Sequence, residues 1–308
     1  MQELPSKRFA TGLVLAIVGS IAFSGKAIIV KLAYRYGVDA VTLIMYRMLF
    51  ALPIFAGMAW WSSRGKEALT RNDWLGILGL GFTGYYLASY LDFAGLAYIS
   101  AALERLILYL NPTLVLILGW LLYKKKMSAR QIGAMALSYA GILLVFGHEI
   151  STQSISTTNN SNTAWGALLV FGSAVSYAIY LSYSGEMVKR LGSLRLVGMA
   201  TTVACLLCIA QFAVLRPLSA MAVAPQVIWL SLLNATLCTA LPVLAVMMAI
   251  ERIGAPLTAQ TGMIGPMSTI LMGIFILGEP LNTWIIAGTV LVLAGVYLVS
   301  RSRPVAAD

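Results

Sequence analysis

Charge is scarce in this chain. Only 10% of the 308 residues are charged, whereas 60% are hydrophobic, and the mean hydropathy is +0.86. A soluble domain carries about 25% charged residues, so a chain with so few cannot cover a surface that faces water. The composition therefore predicts a protein that crosses a membrane several times.

Histidine and cysteine are also scarce, which excludes several kinds of chemistry. His148 is the single histidine, so no His-based metal cluster or Ser-His-Asp triad can form. Cys205 and Cys208 form a C-x-x-C pair in an apolar segment without a second pair, and we interpret them and Cys238 as small core residues. The phosphate-binding sequence Gly-x-x-x-x-Gly-Lys-Ser/Thr is missing. We predict no metal, no cofactor and no ATP hydrolysis by the chain.

Long apolar segments, by contrast, recur along the whole chain. A helical span needs about 20 mostly apolar residues, and continuous apolar runs favour helices over the alternating strands of a β-barrel. The first run is long and lacks a small-residue cleavage pattern, so it is not a cleavable signal peptide. We predict an all-α integral membrane protein with ten transmembrane helices, at 9–31, 40–61, 74–92, 98–123, 130–147, 164–184, 196–215, 226–249, 255–277 and 281–300.

The two halves of the chain match each other at one constant offset. The aligned pairs include Pro112 with Pro266, Gly12 with Gly166, Gly119 with Gly273 and Gly141 with Gly295. We predict two five-helix repeats, at 10–147 and 164–301, joined by a polar periplasmic linker at 148–163. Because five is odd, the second repeat enters the membrane from the opposite side. Inverted repeats are typical of secondary transporters, whose substrate site lies where the halves meet.

Basic residues lie mostly in the loops on one side of the predicted spans. The other side carries only Lys31, Arg35 and Arg216. The positive-inside rule places the basic loops in the cytoplasm. We therefore predict a multi-pass protein of the cell inner membrane with both termini cytoplasmic. The net charge of +10 is interpreted as membrane orientation, not as nucleic-acid binding.

Two matching stretches, residues 94–145 and 250–299, carry a resemblance to a known family. In each, a small-residue entry leads to a proline-containing span and then to a glycine-bearing final span. The second copy keeps the sequence GEPL at 278–281, whereas the first has KKKM at 124–127; Arg47 stands in YRMLFALP. The chain resembles the EamA type of the drug/metabolite transporter superfamily. The resemblance implies a ten-span fold and export of small metabolites.

Four charged residues lie inside predicted spans and away from the span ends, and each is a candidate site residue: Lys26, Arg47, Glu104 and Arg105. At 1.5 Å per residue, Arg47 lies about 11 Å and Glu104 about 9 Å from the outer face. One carboxylate cannot neutralise three cations, so the surplus predicts a cavity for an anionic substrate group. Pairing of Glu104 with Arg47 or with Arg105 would lower the penalty for burying these charges. Three alternatives to a substrate site remain open: Lys26 and Arg105 snorkel to the headgroups, Arg47 and Glu104 form a structural ion pair, or Glu104 carries a coupling proton.

Hydroxyl-bearing residues at helical spacing form a second set of candidates. Tyr85 and Ser89 share a face of the third span, and Ser173, Tyr177 and Tyr180 form a stripe on the sixth. A cavity for an amphipathic metabolite uses such rings and hydroxyls, but tyrosines of the interfacial belt and serines that tie helices together give the same pattern. Asn234 and Gln260 are weaker candidates of the same kind.

Pro112 and Pro266 occupy matching positions in the fourth and ninth spans. A proline inside a helix removes one hydrogen bond and kinks the helix. Paired interruptions of this kind point to a central site or a hinge, although a kink without any part in motion remains an alternative.

We therefore predict a secondary transporter that exports small organic metabolites, such as amino acids or related zwitterions and anions, by alternating access. Its partners are a small-molecule substrate and the lipid bilayer, with proton or exchange coupling and monomer or dimer left open. An exporter of drugs or lipophilic cations is less favoured because the first span has no acidic residue. A membrane enzyme acting on lipid lacks a nucleophile with its base, and a pore lacks rings of like charge.

Overall fold

The structure, a computed structural model, describes residues 5–123, 129–153, 160–253, 261 and 264–301, and these ranges contain helices but no strand. Ten helical spans follow one another in this part of the chain: α1 (Pro5–Tyr34), α2 (Ala40–Ser63), α3 (Arg71–Leu80, Gly81–Leu87 and Ala88–Leu96), α4 (Ala101–Leu108 and Asn111–Tyr123), α5 (Ala129–Gln153), α6 (Asn160–Leu191), α7 (Ser193–Leu215), α8 (Pro225–Ala235, Thr236–Ala240 and Leu241–Ile253), α9 (Ile264–Met272 and Gly273–Leu277) and α10 (Thr283–Arg301). The predicted fold class is confirmed.

The packing of the ten spans follows a two-fold axis between the repeats. Helix α5 packs on α10 and α2 on α7, which are pairs of equivalent helices. The contact of α1 with α8 is matched by that of α3 with α6, and the contact of α1 with α9 by that of α4 with α6. Two copies that lie oppositely across a bilayer give this pairing.

Several helices are longer than predicted. The segment 148–163 is helical at both ends, because α5 continues to Gln153 and α6 begins at Asn160. A helix that leaves the apolar layer keeps its internal hydrogen bonds, so it need not stop where hydropathy drops. Helix α3 likewise continues to Leu96, beyond the predicted end of the third span. The residues that precede α9 at 254–260 and 262–263, Gln260 among them, lie outside the described residues.

The third helix of each repeat contains a wide π turn, at Gly81–Leu87 in α3 and Thr236–Ala240 in α8. These turns occupy equivalent positions in the two repeats, and the apolar pattern did not predict them. Helices of the π type occur mostly as short insertions that are frequent at functional sites. The charged and aromatic residues described below lie beside both turns.

The predicted interruption at Pro112 is present. Helix α4 breaks at Tyr109 and Leu110, and Pro112 is the second residue of the segment that follows. Pro266 lies in Ile264–Met272, and the two residues before this segment lie outside the described residues. Pro112 is in the first turn of its segment, where a proline loses no hydrogen bond because the N–H groups have no partner within the helix. A role of either proline as a hinge remains a prediction.

Candidate functional site

Five buried charged residues lie near the ends of α1 and α3 and near the starts of α2 and α4. We call them the charged cluster: Lys26 of α1, Arg47 of α2, Asp92 of α3, and Glu104 and Arg105 of α4. None is more than 6% exposed. Charges in an apolar layer are tolerated only with partners or with a function, so each contact within the cluster matters.

Four of the five form a connected set across three helices. Lys26 Nζ lies 2.5 Å from Asp92 Oδ2 and 3.5 Å from Glu104 Oε1, and Arg105 Nε lies 3.8 Å from Glu104 Oε2. The predicted Arg105–Glu104 pairing is confirmed. The alternative that Lys26 and Arg105 snorkel is wrong, because carboxylates at the same depth attract both cations inward and bury them.

Asp92 is the member of this set that the sequence analysis missed. The predicted third span ended at Asp92, which placed its carboxylate at the interface, but α3 continues to Leu96 and buries it. The signal was available, since no other acidic residue lies between Asp73 and Glu104. The carboxylates of Asp92 and Glu104 therefore neutralise the charges of Lys26 and Arg105. Arg47 is the remaining cation of the charged cluster.

Arg47 has no carboxylate within ion-pair distance among the described residues, so the predicted Arg47–Glu104 pair is wrong. Its Nε donates to Thr239 Oγ1 at 3.1 Å, and its guanidinium lies 5.2 Å from the centre of the Phe93 ring. Thr239 in turn donates to the carbonyl of Asn234 across the π turn of α8. This anchor turns Arg47 towards α8 and away from α4. Arg47 Nη1 remains buried without a hydrogen-bond partner.

Other polar atoms of the charged cluster and of α8 are also buried and unpartnered. They are Asp92 Oδ1, both carboxylate oxygens of Glu104, Asn234 Oδ1 and Ser231 Oγ. Glu104 keeps its ion contacts but receives no hydrogen bond. Buried polar atoms in native proteins nearly always have a partner, and an unpartnered one calls for an explanation such as water or a ligand. The unpartnered set includes both a cationic donor and anionic acceptors.

Arg105, in contrast, is tied on several sides. Its Nε donates to Thr269 Oγ1 of α9 at 3.1 Å, and its Nη2 donates to the carbonyls of Phe23 and Ser24 of α1 at 3.4 Å. Ser24 Oγ also donates to the carbonyl of Gly265 at 2.9 Å. Arg105 therefore joins α1, α4 and α9 and is best described as a structural tie.

Tyr85, Tyr177 and Tyr180 form a separate group, the tyrosine cluster. Tyr177 and Tyr180 are stacked with ring centroids 5.4 Å apart, and Tyr85 meets Tyr180 edge-on at 5.3 Å. The hydroxyls of Tyr85 and Tyr180 lie 3.4 Å apart. Gly84 makes this arrangement possible, because a Cβ there would overlap the Tyr180 ring.

The two clusters share one pair of equivalent positions in the two repeats, Lys26 and Tyr180, and other members correspond to neighbours of the opposite cluster. At the offset that aligns Pro112 with Pro266, the equivalent pairs are Lys26 with Tyr180, Phe23 with Tyr177, Arg47 with Thr201, and Thr239 with Tyr85. Because the repeats are inverted, the clusters lie towards opposite faces of the membrane. No hydrogen bond or ring contact joins them within the described ranges, so the residues predicted to form one site fall into two.

The remaining predicted site residues have different surroundings. Ser173 donates to the carbonyl of Ala88 at 2.7 Å, which favours the alternative that it ties α6 to α3. Ser89 is half-buried and has no hydrogen bond among the described residues. Asn234 is buried beside Arg47 with an unpartnered Oδ1, and Gln260 lies outside the described residues.

Two cavities of about 420 and 300 Å³ lie elsewhere. The larger is formed mainly by α8, with Leu15 and Ile54 on its border, and the smaller by α4, α5 and α6. Nearly all of their lining residues are apolar. Neither is lined by a member of the charged or the tyrosine cluster, so neither is the polar cavity predicted from the sequence.

Glu279, in the GEPL sequence, links α9 to α4. Its Oε1 accepts a hydrogen bond from the Ala101 N–H at 3.0 Å, so the carboxylate caps the first turn of α4. Gly278 before it has a φ of 74°, a left-handed conformation that favours glycine. Capping by a carboxylate at a helix N-terminus is favourable. The equivalent residues of the first repeat, at 124–127, lie outside the described residues.

Asp73 is a carboxylate in the first turn of α3, just before the predicted apolar span at 74–92. The hydroxyl and the backbone N–H of Thr70 donate to Asp73 Oδ2 at 2.7 and 2.8 Å, and Arg190 Nη2 lies 2.9 Å from the same atom. The Thr70 hydrogen bonds, followed by the Arg190 charge, lower the pKa of Asp73 below its ordinary value. Asp73 therefore ties α3 to α6 near the ends of these helices.

Comparison with known proteins agrees with this architecture. The model of the family described as EamA-like transporters matches residues 10–147 and 164–301. The uncharacterized transporter YcbK of Bacillus subtilis is 27% identical over 89% of this chain and 87% of its own length. An uncharacterized transporter of Archaeoglobus fulgidus is 23% identical over 95% and 98%. A crystal structure with 12% identity superposes with a TM-score of 0.64 over 94% of this chain and 98% of the other, which shows the fold alone.

Proposed function

The chain belongs to the EamA-like transporter family and is a multi-pass membrane transporter, and we propose that it exports small zwitterionic metabolites of the amino-acid class. The observation that carries this proposal is the pair of unpartnered charges in the charged cluster. Arg47 Nη1 is a buried donor without an acceptor, and Asp92 Oδ1 is a buried acceptor without a donor. A carboxylate and an ammonium on one small molecule would satisfy both.

Each end of such a substrate has a residue prepared to bind it. Arg47 offers a planar guanidinium, which suits two-point binding of a carboxylate. Thr239 and the Phe93 ring fix its position, so little side-chain freedom is lost on binding. Asp92 already holds Lys26 through Oδ2 and leaves Oδ1 for the substrate ammonium. In an apolar surrounding both contacts are stronger than in water.

The transport step is alternating access, in which one repeat rocks against the other around this site. The inverted packing of the repeats, the break in α4 and the paired π turns of α3 and α8 support such a motion. With the basic loops in the cytoplasm, the charged cluster lies in the outer half of the membrane and the tyrosine cluster in the inner half. The inner membrane location and cytoplasmic termini are part of the proposal, and accessibility tags on both ends test them.

A lipophilic cation is a poor fit to the same site. The four connected residues are formally neutral, and Arg47 adds a positive charge without an ion-pair partner among the described residues. A cation at this place would be repelled by Arg47. The charge balance therefore favours zwitterions and anions over the cationic drugs of the alternative proposal.

The test is counterflow in proteoliposomes with a panel of labelled amino acids, organic anions and organic cations, run with and without a pH gradient. For wild type we expect saturable counterflow of one or more zwitterions. Arg47→Ala should remove it while the protein still reaches the membrane. Arg64→Ala is the matched control, because the Arg64 side chain is exposed and lies over the Trp60 ring, away from the charged cluster. Unchanged kinetics in Arg47→Ala, or transport of cations alone, would contradict the proposal.

A further inference from the structure

The buried ammonium group of Lys26 contacts two buried carboxylates. Lys26 Nζ contacts both Asp92 and Glu104, at 2.5 and 3.5 Å, and these carboxylates are 2% and 0% exposed. Three of their four oxygens, Asp92 Oδ1 and both oxygens of Glu104, receive no hydrogen bond. The pair therefore has more capacity to accept hydrogen bonds than its surroundings satisfy.

The other titratable groups around the pair do not remove this excess. Arg105 of α4 lies 3.8 Å from Glu104, but its hydrogen bonds are donated to Thr269 and to backbone carbonyls of α1. Arg47 of α2 is turned to Thr239. Tyr34 of α1, which faces Asp92, donates to the Phe93 carbonyl, and Cys238 of α8 and Tyr109 of α4 lie nearby. Helices α6 and α9 place no charged side chain within ion-pair distance, as far as their residues are described.

We propose that Asp92 and Glu104 together bind one exchangeable proton, and that this proton and the ammonium group of the substrate are alternative ligands of the same carboxylate pair. The inference rests on the proposed function for its second half only. The first half, a proton site, stands on the arrangement of the two carboxylates around Lys26.

The physical reason is the penalty for a second buried anion. Asp92 and Glu104 both contact Lys26, and Glu104 has a further cation, Arg105, at 3.8 Å. In an apolar surrounding the two carboxylates still repel each other, and neutralising one of them relieves both the repulsion and the desolvation. In the binding step a proton from water forms an O–H bond with one carboxylate oxygen. Lys26 keeps its own proton and stays with the remaining carboxylate, so the cluster gains one positive charge.

Competition for the pair gives coupling. The ammonium of a zwitterion brings one positive charge to the same oxygens, so the site loses its proton to water when the substrate binds and regains it when the substrate leaves. A carrier that moves with one of the two ligands bound, but neither empty nor with both, exchanges an outgoing zwitterion for an incoming proton. The export proposed above would then be driven by the proton gradient.

The first test needs no substrate. Infrared difference spectra of the purified full-length protein in detergent, between mildly alkaline and mildly acidic pH, should show the C=O band of a buried protonated carboxyl in wild type. The band should be lost in Asp92→Asn and in Glu104→Gln and kept in Asp73→Asn, a carboxylate outside the predicted apolar spans. If the two cluster variants fail to fold, isotope labels on Asp or Glu carboxyls in wild type identify the group. A wild-type protein without such a band overturns the proposal.

The second test is transport. In proteoliposomes with an imposed pH gradient, wild type should accumulate against its concentration gradient the zwitterion that it exchanges in counterflow. Gradient-driven accumulation should vanish in Glu104→Gln and persist in Asp73→Asn. A zwitterion carried by wild type without any response to the pH gradient overturns the coupling. A protonated carboxyl in a protein that carries no zwitterion would instead contradict the proposed function and leave the proton site standing.

Discussion

The charged cluster and the tyrosine cluster are built around equivalent positions of α1 and α6 but differ in chemistry. Lys26 and Phe23 on α1 correspond to Tyr180 and Tyr177 on α6, and in each pair the two side chains are in contact, at 5.7 Å for Lys26 over Phe23 and at 5.4 Å for the stacked tyrosines. The duplicated backbone has therefore kept its geometry while the groups that it presents have diverged. Symmetry of the helices does not imply symmetry of the site.

The difference has consequences for how many helices each cluster requires. Burying five charges requires partners from several elements, and the charged cluster joins α1, α2, α3 and α4 to hydroxyls of α8 and α9. Tyrosine rings need only apolar contact and a single hydrogen bond each. The three rings of the tyrosine cluster accordingly come from α3 and α6, and they pack against apolar residues of α7. We expect changes in the charged cluster to have the larger effects.

The largest effect on stability should come from Lys26→Met. The change keeps most of the side-chain volume but leaves two buried carboxylates without their shared cation, and removal of one partner of a buried ion pair destabilises by about 3–5 kcal/mol. At the equivalent position Tyr180→Phe removes one weak hydrogen bond, which is worth about 1 kcal/mol. Thermal unfolding of the purified variants in detergent compares the two. Equal losses would mean that the clusters are energetically alike.

Gly84→Ala should have the next largest effect, because it acts on the tyrosine cluster by crowding. Its Cβ would overlap the Tyr180 ring, and overpacking typically costs about 1–3 kcal/mol. Gly79→Ala is the matched control on the same helix, since open space surrounds its Cβ. In the other repeat Cys238 occupies the position of Gly84. If Gly84→Ala and Gly79→Ala unfold at the same temperature, the Tyr180 ring can move aside to accommodate the added Cβ.

Tyr177→Ala tests whether the tyrosine cluster takes part in transport at all. An aromatic pair contributes about 1 kcal/mol, so loss of the stacked ring should lower counterflow by roughly tenfold or less. Tyr177→Phe keeps the ring and should transport like wild type. Initial rates, corrected for the amount of protein in the membrane, measure the effect. If Tyr177→Ala transports normally, the tyrosine cluster has a structural role only.

The smallest effect should come from Asp73→Asn, a charge outside the predicted apolar spans. The pKa of Asp73 is lowered in the folded protein, so its stabilising contribution is full above its unfolded pKa of about 3.9. The contribution is lost as the pH falls through the lower folded pKa. We expect wild type to be slightly more stable than Asp73→Asn near neutral pH and the two to converge in acid. A constant difference at every pH would mean that the charge of Asp73 is not responsible.

The contacts of the charged cluster show where sequence reasoning reached its limit. Glu104 and Arg105 are neighbours in the chain, and their pairing was predicted correctly. The partner of Arg47 was predicted wrongly, because the choice between Glu104 and Thr239 depends on how α2 and α8 are rotated about their axes. Asp92 was missed because hydropathy locates the end of a helix only to within a few residues, and one turn decides whether a carboxylate meets water or Lys26.

The sequence by itself determined the ten spans and the inverted repeat, because lipid accepts only helices that satisfy their own hydrogen bonds and a duplication leaves a visible periodicity. Only the tertiary structure decided that the candidate residues form two clusters, that Asp92 and Glu104 share Lys26, and that Arg47 is left with an unpartnered nitrogen. These outcomes depend on distances of a few ångströms between helices. Such distances are set by the rotation of each helix about its axis and by its depth in the membrane, which hydropathy and residue spacing do not specify.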